Sequence, residues 1–195
     1  AHADLFQKGV MGIVAPPGMP GEAVKLAADF SNLLGAEPMF AEQGEIDSLM
    51  ASLHLLPQIV SAALLGMTVD QPGWLEGRKL AGKAYAAATG ALFFQDTSIG
   101  LRDAVLADRE NTLRVLDTLT ASLKGIRDEV AAQDAAHLSA RFDQAVDGRA
   151  RWWSLREKGD WYEAELRSAG EAPSAGDYMR KLFLGKFGQP PDKKK

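Results

Sequence analysis

Cysteine is absent from the 195 residues of this chain. That absence excludes disulfide bridges, zinc sites with thiolate ligands and thiol nucleophiles, and it is typical of proteins in a reducing cytoplasm. Histidine is nearly as rare, since the chain contains His2, His54 and His137 and no others. Because these three are far apart in the sequence, they form no local metal-binding motif, and we predict no metal site.

Long uninterrupted apolar runs are also missing. A membrane-spanning helix needs about 20 predominantly apolar residues. The most apolar stretch, residues 45–66, is interrupted by His54, Pro57, Gln58 and Ser61. The first ten residues lack the basic start and apolar centre of a signal peptide. These features predict a soluble, cytoplasmic chain with no membrane partner.

The charge and the missing motifs exclude further classes of protein. The formal net charge is −4, whereas nucleic-acid binding needs a basic face, so we expect no nucleic-acid partner. The sequence has no G-x-G-x-x-G fingerprint, no G-x-S-x-G elbow and no H-E-x-x-H pair. Because no glycine-rich turn is present to receive a pyrophosphate, we predict that this chain alone binds no nicotinamide cofactor.

The first forty residues differ from the rest. A β-branched apolar run from Val10 is stopped by Pro16 and Pro17, which predicts a strand and a turn. Residues 21–35 place apolar side chains at helical spacing and end at Gly35, and residues 37–40 predict a second short strand. This order predicts that residues 1–41 are a short β-α-β remnant of a larger α/β domain.

From residue 42 onward the pattern is helical. Residues 45–66 predict a buried helix, and Pro57 predicts a kink or break at residues 54–56. An alanine- and glycine-rich stretch predicts one further helix over residues 74–93. A run of apolar residues at three- and four-residue steps then predicts a long helix that turns near residues 131–136 into an antiparallel partner. The run consists of Leu116, Leu119, Leu123, Ile126 and Val130.

The predicted fold is therefore mainly α, a helical bundle preceded by the short β-α-β remnant. We predict an all-helical domain over residues 42–170 and a partly mobile extension over residues 171–195. The heptad-like run and an aromatic segment around Trp152, Trp153 and Trp161 exceed what one small bundle needs, so we predict a homodimer. Aromatic and arginine side chains in that segment are typical of a protein interface, and ordinary core packing accounts for them equally well.

Two places in the chain offer candidate binding residues. His54 lies one turn before Pro57, where a kink opens space for a functional imidazole, although a half-buried histidine bonded to a carbonyl explains it as well. After the alanine-rich helix come Asp96, Thr97 and Arg102. Asp96 or Thr97 can cap the next helix, and Arg102 can hold a carboxylate. Pairing of Arg102 with Asp103 or Asp96 on the surface is the alternative for that side chain.

Six short motifs follow one another along the chain: IVAPPG, LLGAEPMF, EID at residues 45–47, SLHLLPQ at residues 52–58, FFQDTSI at residues 93–99 and ADRENTLRVLD at residues 107–117. Their order resembles the C-terminal part of the prephenate dehydrogenase family. The family carries E-H-D, S-H-L-P-H, F-R-D-T-T-R-I-A and N-R-E in matching order. Each motif is weak alone, but six in the right order are moderately specific.

The resemblance implies a layout. Family members have an N-terminal nucleotide-binding domain for NAD or NADP and a C-terminal helical domain that builds the dimer, similar to the C-terminal domain of 6-phosphogluconate dehydrogenase. Substrate binds in the cleft between them. By this resemblance, residues 1–41 are the end of the nucleotide-binding domain, and residues 42–170 are the dimerisation and substrate domain. The implied reaction is the oxidative decarboxylation of a cyclohexadienyl acid in tyrosine synthesis.

The sequence departs from the family's motifs at four positions, and two of them, the second histidine of S-H-L-P-H and the arginine of D-T-T-R, contact substrate in the family. The middle residue of E-H-D is Ile46, the first histidine of S-H-L-P-H is Leu55 and the second is Gln58. The arginine of D-T-T-R has no counterpart after Ser98. The candidates for binding a small anionic substrate are therefore His54, Gln58, Asp96, Thr97 and Arg102, and no residue of this chain is predicted to be catalytic.

Two functions remain open from the sequence. The chain is either the dimerising half of a prephenate dehydrogenase-like oxidoreductase or a non-catalytic helical module, for dimerisation or ligand sensing, derived from that fold. A strand followed by G-x-G-x-x-G upstream would distinguish the first from the second.

Overall fold

A computed structural model of the chain describes residues 4–94, 98–159 and 161. Within these residues the chain forms two compact units. One comprises the residues up to Phe40 together with those from Phe142 onward, and the other is Ala41–Arg141. The predicted domain limits at residues 41 and 170 stay predictions, and the predicted extension over residues 171–195 lies outside the described residues.

The first unit begins with two strands joined by a helix, as the sequence predicts. Strand β1 (Val10–Ile13) pairs in parallel with strand β2 (Glu37–Phe40), and Val10 lies opposite Glu37 in the register. Helix α1 (Gly21–Leu33) connects them. It ends in a Schellman turn, because Ala36 N donates to Ser31 O at 3.0 Å and Gly35 adopts a φ of +77° that favours glycine.

Helix α1 packs one face and leaves the other uncovered. Val24 and Ser31 are buried on the inner face, and Ser31 Oγ donates to the carbonyl of Ala27 at 2.9 Å. The outer face carries three large exposed apolar side chains, Leu26, Phe30 and Leu33. A parallel sheet normally has both of its faces covered, and a two-stranded sheet is marginal by itself.

The second unit opens with a helix that changes type before Pro57. Helix α2 (Gln43–Met50) runs into a π-helical segment (Ala51–Leu55), which runs into helix α3 (Leu56–Gly66). Proline has no N–H and its ring clashes with the carbonyl four residues back, so a regular α-helical turn cannot be kept there. The predicted break at residues 54–56 is thus confirmed, as a π segment that ends at Leu55.

One prediction for the second unit is wrong. Residues 74–93 do not form a single helix but helix α4 (Trp74–Leu80), helix α5 (Lys83–Thr89) and a 3₁₀ turn (Gly90–Phe94). The break falls at Gly82, where the backbone is extended (φ −101°, ψ −158°). Glycine in a helix interior costs about 1 kcal/mol relative to alanine, which makes this the weak point of the stretch.

Three more helices complete the described chain: α6 (Ser98–Ala107), α7 (Arg109–Ala131) and α8 (Ala135–Lys158). Helix α7 packs against the π segment, where Ala51, Leu55 and Val115 are buried and form the small core of the second unit. The predominance of helix and the small two-stranded sheet confirm the predicted fold class.

The turn between α7 and α8 is tightly specified. Gln133 takes a φ of +54°, and Asp134 caps α8 by accepting the backbone N–H of His137 at 3.1 Å. Across the turn, Arg141 pairs with Glu129 through its Nε, at 3.0 Å, and its Nη2. The same guanidinium lies over Gly125, where an added Cβ would be 3.2 Å from Nη2. These contacts confirm a turn between two long helices near residues 131–136, where the sequence predicts it; the predicted antiparallel pairing of the two helices stays a prediction.

The Glu129–Arg141 pair makes the stability of this turn depend on pH. Hydrogen bonds from Arg141 hold the pKa of the Glu129 carboxyl below its usual value of 4.5. Because the folded-state pKa is depressed, the stabilisation is present above pH 4.5 and is lost as the pH falls through the folded-state pKa.

We expect Glu129→Gln to lower the free energy of unfolding at pH 7, with the difference from wild type shrinking in acid. Urea unfolding at pH 7 and below pH 4.5 measures this, with Asp117→Asn as the exposed control on the same helix. A difference that persists unchanged in acid would contradict it.

Candidate functional site

The break before Pro57 brings polar groups into an otherwise apolar helix. π-helical segments occur mostly as single turns inside α-helices and are frequent at functional sites. Here the segment ends at Leu55, and the first turn of α3 carries Pro57 and Gln58. Two of the predicted site residues, His54 and Gln58, lie on either side of the junction.

Gln58 is the largest of the fully buried side chains in the described chain, with 2% of its surface exposed. Its Nε2 donates to the carbonyl of His54 at 2.9 Å. Its Oε1 is the buried side-chain polar atom that has no hydrogen-bond partner within residues 4–94, 98–159 and 161. An unsatisfied buried acceptor costs about 1–3 kcal/mol, so the side chain offers an unpaired acceptor beside an amide nitrogen that already donates to His54.

Ser61 lies one turn after Gln58 and is completely buried. Its Oγ is 2.9 Å from the carbonyl of Pro57 and 2.7 Å from that of Ala88. A hydroxyl has one hydrogen to donate, and both neighbours are acceptors, so Ser61 has no donor left for Gln58. Its bond to Ala88 ties α3 to α5. Sequence reasoning missed this residue, because a serine four residues after a proline carries no signal of a partner 27 residues away.

Of the remaining candidate residues, the structure describes His54 and Arg102. The side chain of His54 is exposed, so the half-buried position expected for it is wrong, although its carbonyl is bound by Gln58. Arg102, on α6, is also exposed. Its Nε donates to Asp103 Oδ1 at 2.8 Å, which is the surface pairing weighed as its alternative. Asp96 and Thr97 lie outside the described residues.

The structure thus joins His54 and Gln58 by a hydrogen bond, whereas the hydrogen bonds of Arg102 go to its neighbour Asp103. A second cation that the sequence did not single out links two helices nearby. Arg114 on α7 donates to Ser48 Oγ on α2 at 2.8 Å. In the part of the chain that the structure describes, no group of three potential metal-binding side chains occurs.

A shallow cavity of about 320 Å³ lies elsewhere, in the first unit. It is lined by Lys8, Gly9, Asn32, Gly35, Ala36 and Glu37. These residues precede both strands or begin β2, so the cavity lies at the amino ends of the parallel pair. Ligands of open α/β sheets bind beyond the carboxyl ends instead. Its position therefore argues against a substrate site.

The stretch Gln43–Gly66 is also long and apolar enough to cross a membrane by length and composition. That test is met by core helices of soluble proteins as well. The stretch is interrupted by the π segment and carries buried Gln58 and Ser61, with 22% of its most apolar window buried in this chain. Most of the stretch is therefore not buried within this chain, so the predicted buried helix over residues 45–66 is wrong for the chain by itself.

Comparison with known proteins finds one sequence relative and several structures of similar fold, and those named below are all dehydrogenases. No protein-family model matches the sequence. The cyclohexadienyl dehydrogenase of Zymomonas mobilis is 24% identical over 153 residues, which are 75% of this chain and 50% of that protein. The arogenate dehydrogenase of Synechocystis has the same fold over 76% of this chain and 54% of its own, with a TM-score of 0.68 at 15% identity.

A third neighbour is the prephenate dehydrogenase of A. aeolicus, solved with hydroxyphenyl propionate and NAD+. It covers 76% of this chain and 51% of its own, with a TM-score of 0.69 at 15% identity. The chain therefore spans about half the length of each of these proteins.

The unpaired acceptor of Gln58 can be tested through stability. Gln58→Met keeps the length of the side chain, removes the orphan oxygen and loses the bond to His54. Because the orphan costs about 1–3 kcal/mol and one hydrogen bond contributes about 0.5–1.5 kcal/mol, we expect an unchanged or higher free energy of unfolding. Ser61→Ala is the matched control and should be destabilised by about 1 kcal/mol, since it breaks satisfied bonds. A loss in Gln58→Met as large as that in Ser61→Ala would show that Oε1 has a partner.

Proposed function

We propose, from the relationship of this chain to the prephenate dehydrogenase family, that it is the C-terminal part of a prephenate dehydrogenase-like oxidoreductase. In the complete protein it supplies dimer contacts and one wall of the substrate cleft. The reaction is the oxidative decarboxylation of a cyclohexadienyl acid, with NAD or NADP as hydride acceptor, for tyrosine synthesis in the cytoplasm. The neighbours named above are dehydrogenases of this kind.

The observation that carries the proposal is apolar surface without a cover. In the first unit, Leu26 and Leu33 on the outer face of α1 are 70% and 82% exposed. In the second, Leu53, Leu80 and Phe93 are 73%, 86% and 89% exposed. Exposed side chains of this size in both units indicate partners for both. A preceding sheet domain would cover the first unit, and a second copy of the chain would cover the second.

The cofactor would be held by that preceding domain. Pyrophosphate binding at a helix needs free backbone N–H groups at its N-terminus. The connection from β1 to α1 contains Pro16, Pro17 and Pro20, none of which has an N–H, and Pro20 is the residue that precedes α1. Glu22 in the first turn of α1 also places a negative charge where a pyrophosphate would lie. Helix α1 therefore does not fit a nicotinamide cofactor, and we propose no catalytic residue in this chain.

The substrate would meet this chain at the π segment and the start of α3. His54 offers an exposed imidazole, and Gln58 offers an acceptor one turn later, toward which a hydroxyl or ammonium group of a small anionic substrate would donate. Because Gln58 is buried, the turn at Pro57 must shift for that contact to form. Arg102, like Asp96 and Thr97, is a further candidate, and binding substrate would require it to leave Asp103.

The alternative is a non-catalytic helical module, for dimerisation or ligand sensing, derived from the same fold. The pairing of Arg102 with Asp103 favours this alternative, because a cation held by a neighbouring acid on the surface supplies little affinity for a carboxylate. The glutamine at position 58 in place of a titratable histidine points the same way.

An activity assay of the complete protein separates the two functions. We expect NADH or NADPH to form when the complete protein is given NAD or NADP with prephenate or arogenate. We expect the isolated 195-residue chain to form neither, and to show no calorimetric heat with either cofactor up to about 100 μM, an affinity that needs more than about 5 kcal/mol of specific contact. Absence of turnover in the complete protein with every pairing would favour the non-catalytic module.

The mass of the isolated chain in solution tests its role in assembly. We expect light scattering at tens of micromolar to give twice the 21.0 kDa of one chain. The reason is that stable homodimers bury more than about 2,000 Å² with an apolar centre, and the exposed leucines and aromatics provide such a surface. A particle of 21.0 kDa would contradict the dimer.

A further inference from the structure

The chain that follows helix α8 returns to the start of strand β1. Trp161 Nε1 donates to the backbone carbonyl of Lys8 at 3.0 Å, across 153 residues of sequence. Gly159, the residue directly after α8, packs against the side chain of the same lysine. All three residues belong to the first unit. We call Gly159 and Trp161 the strap.

Lys8 is held in a backbone conformation that lysine rarely adopts. Its φ is +61°, in the left-handed region. Its N–H donates to the carbonyl of Gly35 at 3.1 Å, and the carbonyl of the next residue, Gly9, accepts the N–H of Glu37 at 2.9 Å. Residues in sparsely populated conformations persist where the surrounding structure fixes them. Gly35 and Trp161 do this for Lys8, because one binds its N–H and the other its carbonyl.

Position 159 favours glycine for two separate reasons. Its φ of +68° is in the left-handed region, where glycine ends helices without strain. A Cβ added there would also lie 2.9 Å from Lys8 Cβ and 3.1 Å from Lys8 Cγ, closer than real Cβ atoms come. Gly73 has a similar φ of +89°, but an added Cβ there meets nothing within 4 Å. The close approach to Lys8 is therefore a property of the strap beyond the turn that ends α8.

We propose that the strap is a conformational restraint that fixes the end of the helical domain to the nucleotide-binding domain. This inference rests on the proposed function, in which Lys8 belongs to the nucleotide-binding domain and the strap to the helical domain. Movement of two domains in one chain is the default unless contacts between them restrict it. One hydrogen bond shifts an equilibrium between held and released states by about two- to tenfold. The strap thus limits how far the two domains separate around a substrate.

Amide hydrogen exchange at Lys8 in the 195-residue chain tests the restraint directly. Trp161→Phe keeps an aromatic ring and removes the indole N–H. Gly159→Ala places a Cβ against the side chain of Lys8. Because each change removes or displaces a contact that holds this turn, we expect the Lys8 amide to exchange about two- to tenfold faster in either variant, as followed by NMR.

Two matched controls separate the strap from general effects of these substitutions. Trp153→Phe also removes an indole N–H, one that donates to Glu157 on α8 at 2.6 Å. Gly73→Ala also introduces a side chain at a positive φ, but into open space. Both should leave the exchange of the Lys8 amide at the wild-type rate. Unchanged exchange in Trp161→Phe and Gly159→Ala would overturn the inference, and so would equal acceleration in the controls.

Kinetics of the complete protein tests the effect on substrate. We expect Trp161→Phe to raise KM for the cyclohexadienyl acid by about two- to tenfold and to leave kcat unchanged, because the strap contacts neither substrate nor reacting atoms. Faster exchange at Lys8 with an unchanged KM would overturn the restraint on the domains. Absence of turnover in the wild-type protein would fail the proposed function, whereas normal turnover with unchanged exchange at Lys8 would fail the strap alone.

Discussion

Burial of apolar side chains is the constraint on which the rest of this structure depends. Each unit closes a small core of its own, around Val24 and Ala36 in the first and around Ala51, Leu55 and Val115 in the second. Many larger side chains, including Phe30, Leu53 and Phe93, are left in contact with solvent. Conformational entropy opposes folding by about 1–2 kcal/mol for each ordered residue, and the few buried side chains among the described residues offset only part of that cost.

The hydrogen bonding around the π segment follows from the missing backbone N–H of Pro57. Pro57 cannot donate to the helix, and the chain accommodates it by widening the preceding turn into a π segment. Beside the widened turn, the side-chain amide of Gln58 donates to the backbone carbonyl of His54. The hydroxyl of Ser61 lies within hydrogen-bond distance of the carbonyls of Pro57 and Ala88. The polar side chains of this apolar stretch therefore bond to backbone carbonyls at or near Pro57. The one left over, Gln58 Oε1, is where the arrangement can take a ligand or a shift in the helix.

Electrostatics in the described chain is mostly local. Arg102 pairs with the next residue, and His137 with the cap of its own helix. Exposed pairs of this kind contribute about 0–1 kcal/mol, so they orient side chains more than they stabilise the fold. The Glu129–Arg141 pair differs because it joins two helices across a turn. Arg149 differs because its guanidinium lies against the indole rings of Trp152 and Trp153 on the surface of α8.

By itself the sequence determined the elements whose cause is local. Proline and glycine positions predicted β1, α1, β2 and the break before Pro57, because missing N–H groups and permitted positive φ act within a few residues. Apolar periodicity and the resemblance of the motif order to a known family predicted the fold class. Local signals also misled: the stretch 74–93 looked continuous, since alanine favours helix whatever surrounds it, and Gly82 broke it. Only the tertiary structure decided that His54 is exposed, that Gln58 is buried and that Arg102 turns to Asp103. Burial and pairing depend on which distant segments meet, and no residue type or spacing in one stretch of chain specifies that.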